Sequence, residues 1–181
     1  MQIAPVERTV RERLGSLVFG VDDEELQGAV AELLASKRQS LATAEGVTAG
    51  LVAERLGSVP GISAWFRGGM VAYDNRLKVE LLTVPQSLIE THGAVSAEVA
   101  EAMAVGCRTR LRVDLAVSTV GVAGPHDLSA DCPVGLVYVG LAWSGGATST
   151  RFSWTGSRDE VRRRTAKLAL NRVRLHLLSG E

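Results

Sequence analysis

The chain has 181 residues, 46% of them hydrophobic and 22% charged, and its 20 basic and 20 acidic side chains cancel to a formal net charge of zero. That length suits one domain burying about two thirds of its unfolded surface, and the composition excludes extended disorder. The charge balance leaves no global field for nucleic acid or an anionic membrane, no apolar run reaches the length of a membrane span, and the first residues lack the order of a signal peptide, so a cytoplasmic protein is expected.

Residues 5 to 20 carry Arg8, Arg11, Arg13 and Leu14 and end on Gly20, as a short helix or arm would. Asp22 with Glu25 has the form of a capping box and predicts a helix to about Lys37, with Leu26, Val30, Leu33 and Leu34 on one face. Residues 40 to 44 are short, small and apolar like a buried strand, and a second helix is predicted over 47 to 56. Residues 64 to 73 mix aromatic and β-branched side chains around Gly68 and Gly69, which fits a strand with a bulge or a close backbone approach. Pro85 opens a short helix that Gly93 stops, and Ser96 caps the next, with Val99, Met103 and Ala104 facing inward to about Leu111. Strands over 114 to 120 and 134 to 143 follow, and a third over 149 to 154 makes a hairpin across Gly145 and Gly146. Ser157 with Glu160 is a further capping box, opening a last helix with Val161, Leu168, Val173 and Leu177 on one stripe. Helices between buried strands imply an α/β fold, a three-layer α/β/α sandwich whose sheet the hairpin makes mixed but mostly parallel.

The passage Leu41-Ala42-Thr43-Ala44-Glu45-Gly46-Val47-Thr48-Ala49-Gly50 carries the chemistry. A strand that enters a helix through a tight turn aims backbone N–H groups and the positive helix end at one spot, where an anion or oxyanion can sit. Cys107 and Cys132 stand apart without a CxxC pair, and His92, His126 and His176 are scattered, so neither a metal site nor a redox pair nor a cofactor is expected.

This passage, with Val59-Pro60-Gly61-Ile62-Ser63, Gly68-Gly69-Met70-Val71-Ala72-Tyr73-Asp74-Asn75-Arg76-Leu77-Lys78, His92-Gly93-Ala94-Val95-Ser96 and Gly121-Val122-Ala123-Gly124-Pro125, resembles the C-terminal domain of the CinA (competence/damage-inducible) family over roughly residues 25 to 178. The resemblance implies a nicotinamide-nucleotide amidase, which hydrolyses the amide of nicotinamide mononucleotide (NMN) to the acid nucleotide and ammonia. The family's turn usually reads Ala-Glu-Ser-Cys-Thr-Gly-Gly with the serine as nucleophile, and here Gly46 stands in that serine's place. The resemblance also implies a homo-oligomer, for which Trp65, Phe66, Trp143, Phe152 and Trp154 near the sheet edges offer either a contact surface or a cover for the sheet under the last helix. In long members a domain resembling molybdopterin-binding proteins comes first, so residues 1 to 21 read as an arm or linker remnant before a domain over 22 to 181. A plain helix packed on its own domain or on a neighbouring subunit is the other reading.

Amide hydrolysis needs a nucleophile, a base, an oxyanion site and an acid for the leaving ammonia. Gly46 cannot attack, and Thr48 carries the nearest hydroxyl, either as a residue satisfying free N–H groups at the helix start or as a substitute nucleophile. Glu45 is open between orienting a water or ribose hydroxyl and anchoring the turn. By resemblance Tyr73 would help to activate the nucleophile, with Asn75 beside it and Lys78 as the cation favouring its anion. Gly121, Ala123 and Gly124 would let N–H groups approach a phosphate, and Arg158 and Arg162, four apart on one helix face, would reach a phosphate or carboxylate. Val120 replaces the family's threonine, and His126-Asp127-Leu128-Ser129-Ala130-Asp131-Cys132 replaces its glycine pair and lysine. The sequence therefore leaves two functions open. One is an amidase using an altered nucleophile or a water activated by Glu45 and Tyr73, and the other is an inactive nucleotide-binding, regulatory or assembly module.

Overall fold

A computed structural model describes residues 3–180. Helix α1 (Ile3–Leu14) and a 3₁₀ turn (Gly15–Leu17) come first. Val6, Val10 and Leu14 of α1 are exposed, and the Ser16 carbonyl ties this segment to the body by accepting from Arg174. Helix α2 (Leu26–Lys37) starts later than expected, so the predicted capping box does not form. Glu25 takes the N-cap without a side-chain hydrogen bond, and Asp22 sits in a left-handed turn.

Strand β1 (Leu41–Glu45), helix α3 (Leu51–Gly57) and strand β2 (Phe66–Val71) follow, then helices α4 (Asn75–Leu82), α5 (Gln86–His92) and α6 (Ala97–Leu111). Strand β3 (Leu115–Gly121), the hairpin β4 (Leu136–Trp143) and β5 (Gly146–Ser153), and helix α7 (Arg158–Ser179) complete the described chain. Ser96 caps α6 by accepting from Val99 N, and Ser157 and Glu160 form the full capping box on α7. Helix α4 has no counterpart in the sequence reading. Asp74 opens it by accepting from Arg76 N at 2.7 Å.

The sheet order is β2-β1-β3-β4-β5, with β1 parallel to β2 and β3 and with β4 antiparallel to β3 and β5. Only β4 therefore runs against the other strands, and the sheet is mixed, with two parallel and two antiparallel pairings. The β1–β2 register shifts between Leu41 and Ala42, beside the Gly68-Gly69 pair, and a Cβ on Gly69 would lie 2.1 Å from Thr43 Oγ1. Alternation along the strands feeds two cores. Leu41, Leu115 and Val117 join Leu34, Leu56 and Leu170 beneath α2, α3 and α7, whereas Ala42, Ala44 and Ala116 join Val99 and Met103 of α6 and Leu82 of α4. Each fully buried leucine contributes roughly 1.5–3 kcal/mol by leaving water. The half-buried aromatic residues Trp65, Phe66 and Trp143 pack on the first core, while Phe152 and Trp154 stack with centroids 5.6 Å apart against Val161 and its neighbours.

From β1 the chain reaches β2 through α3 on one face, and it returns from β2 to β3 through α4, α5 and α6 on the other. The carboxyl ends of β1 and β3 are thus a topological switch point, where diverging connections leave a crevice.

Candidate active site

A cavity of about 370 Å³ opens at that switch point, lined among others by Gly46 and Val47 from the turn after β1, Tyr73, Asn75 and Lys78 around the start of α4, residues 120 to 124 after β3, and Arg158 from α7. The turn is longer than the sequence suggests. Ala49 and Gly50 are both left-handed, with φ 50° and 98°, so α3 begins only at Leu51.

Glu45, 1% exposed, fixes this turn. Its Oε2 accepts from Thr48 Oγ1 at 2.6 Å, Gly50 N at 2.8 Å and Val52 N at 3.1 Å, and its Oε1 accepts from Ala53 N at 2.8 Å. A carboxylate placed on the free N–H groups of a helix start is an anchor, and Glu45 does not line the cavity. Thr48 is wholly buried, and its hydroxyl is shared between Glu45 and Thr119 Oγ1 at 2.7 Å. It neither caps α3 nor lines the cavity, so the substitute-nucleophile expectation fails on geometry. Gly46 does line it. Its N–H donates to Thr119 O at 2.8 Å, and a Cβ there would lie 2.9 Å from the same oxygen.

Asp74 places Lys78 on the inward side of α4, where it is 6% exposed. Burial pushes its pKa below the ordinary lysine value, while the Asp74 carboxylate works the other way. Lys78 Nζ donates to Asn75 Oδ1 at 2.7 Å, a neutral partner, and it enters no ion pair among the described residues. Tyr73 is 56% exposed at the mouth, and its cation is Arg158 rather than Lys78: Arg158 Nη2 donates to the phenolic oxygen at 2.8 Å and Nη1 to the Gly124 carbonyl at 2.7 Å. This bridge between Tyr73 and the loop after β3 was not evident in the sequence, because 85 positions separate the partners.

The other arginine lies elsewhere. Arg162 donates to the Thr48 carbonyl at 3.1 Å, supporting the turn from outside the cavity. Gly121 lines the cavity but belongs to β3, where a Cβ would meet Val137 Cγ1 at 2.6 Å, so close strand packing accounts for the glycine. Val122 N is used by Leu136 O, whereas the N–H groups of Ala123 and Gly124 have no protein acceptor among the described residues. The sequence reading assigned His126 and Asp127 no positive role, yet both line the cavity, and Asp127 Oδ1 accepts from Val134 N at 2.6 Å to close their loop. Among the described residues no group of three or more His, Cys, Asp or Glu could hold a metal, and no helix is long and apolar enough to cross a membrane.

Two cations, two free N–H groups and a phenol thus surround a cavity at the carboxyl ends of parallel strands. Solved structures share this fold: the competence/damage inducible protein of Agrobacterium tumefaciens superposes with TM-score 0.82 at 34% identity, covering 88% of this chain and 98% of that one. A CinA superfamily protein of Klebsiella pneumoniae also gives 0.82, at 27% identity over 85% of this chain and 96% of its own. Among curated relatives, the CinA-like protein of Geobacter sp. (strain M21) is 46% identical over 170 residues, 94% of this chain and 41% of the relative. That of Geotalea uraniireducens is 44% identical over 169 residues, 93% of this chain and 40% of the relative, so the chain spans about two fifths of these proteins. The CinA C-terminal domain model matches residues 23–177, and with that match over most of its length the chain belongs to the CinA C-terminal domain family.

Proposed function

We propose that the cavity binds an NMN-like nucleotide and hydrolyses its amide poorly or not at all. One observation carries this reading: among the described residues no serine, threonine or cysteine lines the cavity, and the positions facing it from the turn are Gly46 and Val47. Without an aliphatic hydroxyl or a thiol on the wall the serine- or cysteine-type acyl-enzyme does not form, and the loss of a catalytic nucleophile costs ~10⁴ or more in rate where the rest of the site is kept. The binding features remain. Lys78 and Arg158 are cations on the wall, and the free N–H groups of Ala123 and Gly124 suit phosphate oxygens.

The second reading is slow hydrolysis by a water that Tyr73 positions, its hydroxyl fixed at the cavity mouth by Arg158 Nη2 at 2.8 Å. Glu45 takes no part in it, because its carboxylate is occupied within the turn. Calorimetric titration with NMN beside an ammonia-release assay separates the readings. Saturable binding without release supports the first, release abolished in Tyr73→Phe supports the second, and absence of binding removes both.

A further inference from the structure

A second groove, of about 380 Å³, lies away from the active-site cavity and shares none of its lining residues. Leu17, Phe19, Leu26 and Leu168 make it apolar, and Arg164, Lys167 and Arg174 of α7 supply its charge. Among the described residues no acidic side chain lines it.

Arg174 is the notable member, because it is 4% exposed and enters no ion pair among the described residues. Its Nε and Nη2 donate to Asn171 Oδ1 at 3.0 and 2.9 Å, and Nη2 also donates to the Ser16 carbonyl. These partners are neutral, and Nη1 has none among the described residues. A guanidinium keeps its charge at any physiological pH, so burying it without an anion is costly, and a bound anion offsets that cost. Lys167 is likewise unpaired among the described residues, whereas Arg164 donates to the Thr155 carbonyl at 3.0 Å and lies 3.7 Å from Glu160. Trp154, also on the wall, has its indole Nε1 buried without an acceptor. The groove therefore sets two cations without an ion pair among the described residues, Arg174 and Lys167, over an apolar floor.

We propose that this groove binds a small anionic amphiphile, a carboxylate on an apolar chain, with the carboxylate between Arg174 and Lys167 and the chain between Phe19 and Leu168. Its volume falls within the range of about 300–1,000 Å³ common for small-molecule sites. A bidentate guanidinium–carboxylate contact supplies orientation, and removal of apolar area from water supplies most of the affinity.

Decanoate tests this, with decanol and decyltrimethylammonium as neutral and cationic counterparts, read by calorimetry and by Trp154 fluorescence, for which Trp154→Phe is the control. The expected result is saturable one-to-one binding of decanoate, at least tenfold weaker binding of decanol and none of the cation. Lys167 is exposed, so Lys167→Glu leaves the fold intact, and it should weaken decanoate binding at least tenfold without changing NMN binding. Arg174→Met should abolish decanoate binding, with circular dichroism verifying its fold. Equal affinity for decanoate and decanol, indifference to Lys167→Glu, or no saturable binding would each overturn the proposal.

Discussion

Arg158 and Tyr73 meet at the mouth of the cavity, with Arg158 Nη2 2.8 Å from the phenolic oxygen while Nη1 of the same guanidinium holds the Gly124 carbonyl at 2.7 Å. One planar fork thus fixes the side chain after β2 against the loop after β3. Lysine cannot reproduce that geometry, since its ammonium is a point charge. Arg158→Ala is expected to weaken NMN binding about tenfold to a hundredfold, the range for losing a charge-assisted hydrogen bond, and Arg158→Lys should recover only part. Titration calorimetry of the two variants checks this, and equal affinities for wild type and Arg158→Ala would exclude the guanidinium from binding.

Lys78 makes an opposite demand on stability and on binding. Its folded pKa is lowered by burial, so the folded state binds the proton more weakly than the unfolded state. Unfolding is thereby favoured below the folded pKa, and stability rises as pH climbs from that value to the ordinary 10.5 of the unfolded chain. Lys78→Met is therefore expected to stabilise the fold at neutral pH, with the gain shrinking at alkaline pH, and to weaken NMN binding roughly tenfold or more. Denaturation midpoints measured across that pH range check the first half. A gain independent of pH would assign the effect to packing instead.

The two cysteines are expected to separate chemically. Burial pushes the Cys107 thiol up to about 12, and its sulfur lies 3.4 Å from the Thr43 carbonyl in the core beneath α6. Cys132 is raised less deeply in the structure, by partial burial and the adjacent Asp131, and stands on the loop near the cavity. A thiol reagent at neutral pH should titrate one group in the folded protein and the second only in denaturant. Two groups reacting at once would mean that the core around Cys107 opens readily.

The capping boxes show which parts of the structure were legible in the sequence. Ser157 with Glu160 specifies α7 because both partners lie within one helical turn of the same backbone. Asp22 with Glu25 carries the same pattern and fails, since the chain turns left-handed at Asp22 before α2 starts. At the site, the turn and its Gly46 could be read directly because they are contiguous. The direction of the Glu45 carboxylate could not, as it depends on where α3 starts, which Ala49 and Gly50 decide through their left-handed conformations. Tyr73 and Arg158 were each recognised, but their pairing depends on how α7 packs over the loop after β3, and no local spacing encodes that.

Glu45 offers a direct test of the anchor role. Its two oxygens accept four hydrogen bonds, so Glu45→Gln turns one acceptor into a donor facing N–H or O–H groups. A cost on the order of 2–4 kcal/mol is expected from donors left unpaired in a buried turn. At roughly 2–4 °C per kcal/mol for a domain of this size, the melting temperature should fall by several degrees or more. A variant of unchanged stability would return Glu45 to the list of groups free to act on substrate.

Gly46→Ser puts a hydroxyl on the turn at the cavity wall, and under the proposed function it is expected to give only a weak amidase. The new Cβ would stand 2.9 Å from Thr119 O, closer than a real Cβ comes to a backbone oxygen, and 3.8 Å from Val120 Cγ1. That oxygen already accepts the Gly46 N–H at 2.8 Å, so the turn must shift to admit the side chain, and the hydroxyl then sits off its attacking position. A misplacement of about 1 Å at a reacting centre costs roughly a hundredfold. Val120 beside it on the cavity wall presents only methyl groups, so it offers the new hydroxyl no hydrogen bond. The variant is therefore expected to show measurable ammonia release from NMN, well below the 1 to 10³ per second typical of enzymes, together with a small loss of stability. Gly46→Ala separates the two effects, because it introduces the same Cβ without a hydroxyl and should lose the stability without gaining turnover. Full turnover in Gly46→Ser, with an unchanged melting temperature, would show that the turn accommodates the side chain freely and that the glycine alone had silenced the site.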